Sequence, residues 1–172
     1  MIFSKIALTA GFILSVILHW HEPLVDSEHS YRSVRQLINT SDVIVLGTIR
    51  NVKHQVRTNR QVGRGRLVNY EQIVNIKHVF KGNTSSNLSL ITTGVNPLPP
   101  PRDPINKRYT GPLAEGDYLL FLSSLKQNSF FRLNSGFQSV YPFINQKMIA
   151  LEEGFHSLNG LTTDEVTSYL SQ

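Results

Sequence analysis

The chain has 172 residues, 40% of them hydrophobic, a formal net charge of +5 and no cysteine. That length supplies one ordinary core and scarcely two. The missing thiols exclude disulfide staples, cysteine-based zinc sites, cysteine nucleophiles and lipid attachment through an N-terminal cysteine.

Lys5 precedes an uncharged apolar run from Ile6 to Leu18, which has the form of a signal-peptide core or a short anchor. As a spanning helix it is thin against the roughly 20 apolar residues a bilayer core needs, although Ile2, Phe3 and Trp20 lengthen it. As a cleavable signal it lacks Ala-x-Ala after Leu18, and the nearest small-residue site is Val25-Asp26-Ser27. A buried core helix is the alternative. Lys5 before the run and Glu22, Asp26 and Glu28 after it direct the remainder outward. Residues 1–27 are therefore expected to be a signal peptide or N-terminal membrane anchor. Residues 28–172 are expected to form one domain, secreted or on the extracytoplasmic face of the cell membrane. A cysteine-free exported chain fits a bacterial exterior.

His29 to Asn39 carries Tyr31, Val34, Leu37 and Ile38 at helical spacing, with Ser30 as its cap and Asn39 to Asp42 as its end. Val43 to Ile49 is a β-branched run too apolar for an exposed strand, and Gly47 marks a bend or a close neighbour. Val68 to Phe80 alternates, with Tyr70, Val74, Ile76 and Phe80 on one side and Glu71, Asn75 and Lys77 on the other. Lys81-Gly82-Asn83 turns it, and Leu88 to Thr93 is the third strand. Gly94 to Pro112 holds six of the eight prolines and reads as a long loop, without central strand or helix. Tyr118–Leu122, Phe130–Leu133, Phe137–Phe143 and Met148–Leu151 read as short strands, with Glu115-Gly116-Asp117 as a turn. Thr162 and Glu165 form a capping box for a last helix with Val166, Tyr169 and Leu170 on one face. Several short strands with peripheral helices predict a closed β-barrel, because closure removes edges that would pair with other chains.

Ser41-Asp42-Val43-Ile44-Val45-Leu46-Gly47, Val79-Phe80-Lys81-Gly82 and Glu115-Gly116-Asp117-Tyr118-Leu119-Leu120-Phe121-Leu122, in that order after a helix, resemble bacterial exported domains of the superfamily of tissue inhibitors of metalloproteinases and netrin-like modules. The resemblance covers about residues 30 to 170. It implies a mainly β, OB-fold-like barrel of five to six strands, with a helix before the first strand and a short C-terminal helix. Inhibitory members chelate a protease zinc through an N-terminal cysteine, and this chain has none. The resemblance therefore implies the fold and not that mechanism.

Charge is unevenly placed. Between Arg50 and Pro112 eleven Lys and Arg face only Glu71 and Asp103, whereas residues 113 to 172 hold three basic and six acidic groups. Arg50, Lys53, Arg57, Arg60, Arg64 and Arg66 crowd what reads as the tip of the first hairpin, made flexible by Gly63 and Gly65. In an OB-fold that loop flanks the ligand face, so these six are the candidate polyanion site, for anionic wall polymer or lipid. Nucleic acid is disfavoured, because no aromatic residue interleaves with the charges and Tyr70 and Tyr109 are the nearest. A solvated hairpin whose arginines protect an edge is the competing explanation. Leu98-Pro99-Pro100-Pro101-Arg102 resembles a polyproline II ligand, or a loop stiffened by proline. Pro99, Pro100, Pro101, Arg102 and Tyr109 are the candidate partner-binding loop.

No nucleophile, base and acid stand in a catalytic pattern. His19 and His21 lack a third metal ligand, His78 reads as a core-edge histidine, and Glu115 and Asp117 read as turn formers. The expected function is a non-enzymatic binding module of the cell envelope, without cofactor or metal, taking an unidentified protein partner. Polyanion binding through residues 50–66 is the alternative, with membrane contact through the N-terminal segment if it is uncleaved.

Overall fold

A computed structural model describes residues 30–125 and 130–171. The expected leader, with His19 and His21, lies outside the described residues. Among those described, no helix is long and apolar enough to cross a membrane.

The first helix among the described residues, α1, is Val34–Thr40. Its cap is Ser33 rather than Ser30: the Ser33 hydroxyl accepts the Gln36 N–H at 3.3 Å, while Tyr31 is drawn away by its N–H bond to Gln138 Oε1. Ser41 closes the other end, donating both its hydroxyl and its N–H to Leu37 O. The Lys81 ammonium donates to the carbonyls of Ile38 and Asn39, a cation at the negative end of the helix.

The chain is mainly β. Among the described residues seven strands follow in order: β1 Val43–Val62, β2 Gly65–Lys81, β3 Asn87–Asn96, β4 Gly116–Leu125, β5 Phe130–Leu133, β6 Val140–Ile144 and β7 Lys147–Met148. Hydrogen bonds link them in the order β1-β2-β3-β5-β4, and β4 pairs back onto β1, so five strands form a ring. Every pairing in the ring is antiparallel except β3 with β5, which is parallel. β6 adds to β4 beyond the ring and β7 adds to β6.

The apolar runs of β1 and β4 are continuous because both faces are covered. Val43, Val45 and Ile49 of β1 join Leu120 and Leu122 of β4 in a core to which all five ring strands contribute. The alternate residues Ile44, Leu46, Leu119 and Phe121 face a second core with Leu37 of α1, Tyr141, Met148 and Val166. Fully burying each such aliphatic side chain is worth about 1.5–3 kcal/mol. Gly47 is the close approach anticipated: a Cβ there would lie 2.6 Å from Val74 Cγ1 and 2.9 Å from the Asn75 carbonyl oxygen.

Several boundaries differ from the sequence reading. The segment 94–112 contains the end of β3 and a one-turn helix, α2, at Ile105–Arg108. Residues 137–143 split into a 3₁₀ turn, Gly136–Ser139, and β6. The last helix, α3, is Thr163–Leu170 and carries the Thr162–Glu165 capping box.

Candidate binding surfaces

The basic segment is strand, not a flexible loop. β1 pairs with β4 only as far as Ile49 opposite Gly116, so from Arg50 onward it leaves the ring and keeps β2 alone as a partner. Thirteen steps along β1, from Ile49 to Val62, run against nine along β2, from Val74 to Gly65, so β1 carries four extra residues at three register shifts. Such bulges coil the ribbon and re-aim side chains. Thr58, 1% exposed, repairs the largest shift: its hydroxyl donates to Leu67 O at 2.9 Å and accepts the Arg60 N–H at 3.2 Å. The ribbon turns at Gly63-Arg64, where Gly63 has φ +56°, the glycine position of a two-residue hairpin. Gly65 is not a source of flexibility. It pairs with Val62 and approaches Val95 so closely that a Cβ would sit 2.5 Å from Val95 Cγ1.

Arg50, Lys53, Arg57, Arg60, Arg64 and Arg66 are all exposed on this arm, but they are not equivalent. Lys53 is spent on an ion pair, its ammonium 3.0 Å from Glu71 Oε1. The same carboxylate oxygen accepts the Ser89 hydroxyl at 2.8 Å, and the Glu71 side chain is only 4% exposed. Among the described residues no carboxylate pairs with Arg50, Arg60, Arg64 or Arg66. Positive charge and bulges along the unpaired β1 edge oppose strand addition by another chain.

The Lys53–Glu71–Ser89 group forms the polar part of a groove of about 660 Å³ lying across β2 and β3, bounded by His54 at the root of the arm, the 83–85 turn and the rings of Phe130 and Phe131. Sequence reading missed this groove. Its members come from four separate segments, and Lys53 meets Glu71 only through the shifted register of β1 on β2.

The proline-rich loop folds back against the arm tip. The peptide bonds before Pro97 and Pro112 are cis. Tyr109, expected on a partner-binding surface, is instead 7% exposed and packs with Leu67 and Val95, supported by Val62 and Ile105; it anchors the loop. Tyr70 is also buried, at 6%, so neither tyrosine offers a stacking face. Pro99 is half-buried, Pro100, Pro101 and Arg102 are exposed, and Pro99 and Pro100 line a second hollow of about 440 Å³ with the arm tip at Gly63 and Arg64. The return of the chain is tight: a Cβ on Gly94 would fall 1.7 Å from Gly111 O, and Gly111 N–H donates to Thr93 O at 3.1 Å. Leu113 then exchanges two backbone bonds with the Gln72 amide.

Asp117 is a strand residue of β4 rather than part of a turn. Its Oδ1 accepts the Thr48 hydroxyl at 2.6 Å and its Oδ2 the Lys77 ammonium at 2.7 Å, and these bonds, Lys77 first, hold its carboxyl below the usual range. His78 is exposed, with its ring 4.5 Å from that of Phe80. Burial pushes the Tyr141 phenol up to about 12, against the Phe155 N–H that it accepts at 2.8 Å. Among the described residues no group of three His, Cys, Asp or Glu side chains could hold a metal ion. No family model matches the chain, and no curated protein and no solved structure matches it.

Proposed function

We propose that the chain is a non-enzymatic, OB-fold-like binding module of the cell envelope, exported or held at the outer face of the membrane, which takes a segment of a protein partner in the groove across β2 and β3. The observation that carries this reading is the groove itself. Its volume, about 660 Å³, falls within the range of ligand sites, and it combines aromatic walls with a polar group whose charges are already paired. Support for the barrel class comes from the ring order β1-β2-β3-β5-β4 with β3 and β5 parallel. In that class the face of the second and third strands is the usual ligand surface. Lys53 and Glu71 neutralise each other, so the groove suits a peptide better than a polyanion. A photo-crosslinking residue at Asn87, on the groove wall, is expected to trap one discrete envelope protein, and Phe131→Ala to abolish the product. An identical product from Ser157, beside α3, would sink the reading.

A second reading is polyanion binding through the arm, favoured by Arg50, Arg60, Arg64 and Arg66, which have no carboxylate partner among the described residues. Replacing Arg57, Arg60, Arg64 and Arg66 together by Gln is expected to abolish retention on a heparin matrix. Unchanged retention would remove this reading.

A further inference from the structure

The far end of the arm combines charge with an apolar side chain that no described residue covers. Leu98 is 78% exposed, more than any other large hydrophobic residue described. It lines the same hollow as Arg64 and Val62, and Arg66 pairs with Asn96 two residues before it. Arg60, Arg64, Arg66 and Arg102 are exposed and lack a carboxylate partner among the described residues. Asp103 is the acidic residue of the hollow, and one of its oxygens is occupied by the Ile105 N–H at 3.0 Å. An isolated exposed leucine needs no explanation. This one stands between Pro97 and Pro99, on a loop whose fixed φ angles leave little freedom to lose on docking, and shares its hollow with Arg64.

We infer that this end of the molecule seats on an anionic phospholipid surface, with Leu98 entering the boundary between headgroups and acyl chains and the arginines at the level of the phosphates. The inference rests on the polyanion reading of the arm and names the polyanion. A soluble polymer satisfies the guanidinium groups but has no use for Leu98. A bilayer offers both a negative surface and an apolar layer beneath it. Planar guanidinium groups match phosphate oxygens two at a time, and stable membrane attachment takes two weak signals together rather than one.

The absence of cysteine allows a direct test on the full chain. Leu98→Cys and Ser157→Cys each carry a single environment-sensitive fluorophore and are titrated with phosphatidylcholine vesicles, with or without phosphatidylglycerol. A blue shift at position 98 on phosphatidylglycerol vesicles alone, with none at position 157, is the expected result. Replacing Arg60, Arg64, Arg66 and Arg102 by Gln in the Leu98→Cys chain should weaken it by up to about fivefold for each arginine, with the far-ultraviolet circular dichroism unchanged. Equal shifts on neutral and anionic vesicles, or at both positions, would overturn the inference by assigning attachment to another part of the chain. No shift at position 98 combined with arginine-dependent retention on heparin would overturn the lipid while leaving the polyanion reading; loss of both would remove both.

Discussion

Lys53 sets its ammonium 3.0 Å from the Glu71 carboxylate across the bulged β1–β2 ribbon. This pairing removes one of the six basic residues from the arm and supplies the groove with a neutral polar floor. Removing Lys53 leaves the Glu71 charge with the Ser89 hydroxyl as its remaining side-chain partner among the described residues. Loss of one partner from a fully buried pair costs about 3–5 kcal/mol, but the Lys53 side chain is 50% exposed, so solvent screens much of the interaction. Lys53→Met is expected to lower stability by about 1–2 kcal/mol in urea unfolding. Retention on an anionic matrix should change less for Lys53→Met than for Arg64→Gln.

The contact between Gly94 and Gly111 leaves no room for a methyl group: backbone oxygen already occupies the place of a Gly94 Cβ. Gly94→Ala must displace the whole return segment, including the Leu113–Gln72 bonds, and should cost more than about 3 kcal/mol. Gly160 is the control. It has φ +80° but nothing within 4 Å of its missing Cβ, so Gly160→Ala should cost only its backbone strain, about 1 kcal/mol. Similar midpoints for the two variants would contradict the packing described.

Asp117 and Asp42 make stability fall in acid. Lys77 and then Thr48 hold the Asp117 carboxyl below the usual range, and the Ser124 N–H and then its hydroxyl do the same for Asp42. A carboxyl with a lowered folded-state pKa stabilises fully above its unfolded value, about 4. That contribution is lost as the pH drops through the folded value. Urea midpoints should therefore be insensitive to these two groups from neutrality to about pH 5 and fall below about pH 4. The decline should be shallower in Asp117→Asn.

Tyr141 should stay protonated well into the alkaline range, since burial pushes its phenol up to about 12. A spectrophotometric titration of Tyr141→Phe should thus match the parent until the protein unfolds in alkali. The variant should be less stable by about 1–2 kcal/mol, because the Phe155 N–H loses its acceptor. An early loss of one tyrosine equivalent would show that the phenol is accessible.

What could be read from the chain depended on whether the signal was local. The Thr162–Glu165 capping box and the Phe130–Leu133 strand rest on neighbouring residues, and both stand in the structure. The continuous Val43–Ile49 run announced burial on both faces, which α1 and α3 complete. The long arm was hidden because strand is normally recognised by alternation, and four extra residues in β1 erase the period of two. Tyr109 misled for a related reason. A tyrosine after five loop prolines looks solvent-facing until the loop is known to fold onto Leu67 and Val95. The groove had no sequence signal, since register alone brings its parts together.

The parallel contact between β3 and β5 also dictates when the molecule can become whole. Parallel neighbours cannot be joined by a hairpin, and here the whole proline-rich segment and β4 lie between them in the chain. A chain emerging from its N-terminal end can zip β1 to β2 to β3 early. It must then wait, with the far margin of β3 unprotected, until Phe130–Leu133 arrives to close the circle. Pairings between such distant segments form slowly, and the interval is when chains are most prone to stick to one another. Any shortening that removes β5 would thus leave two open margins, on β3 and on β4, and turn a self-contained ring into a template for aggregation.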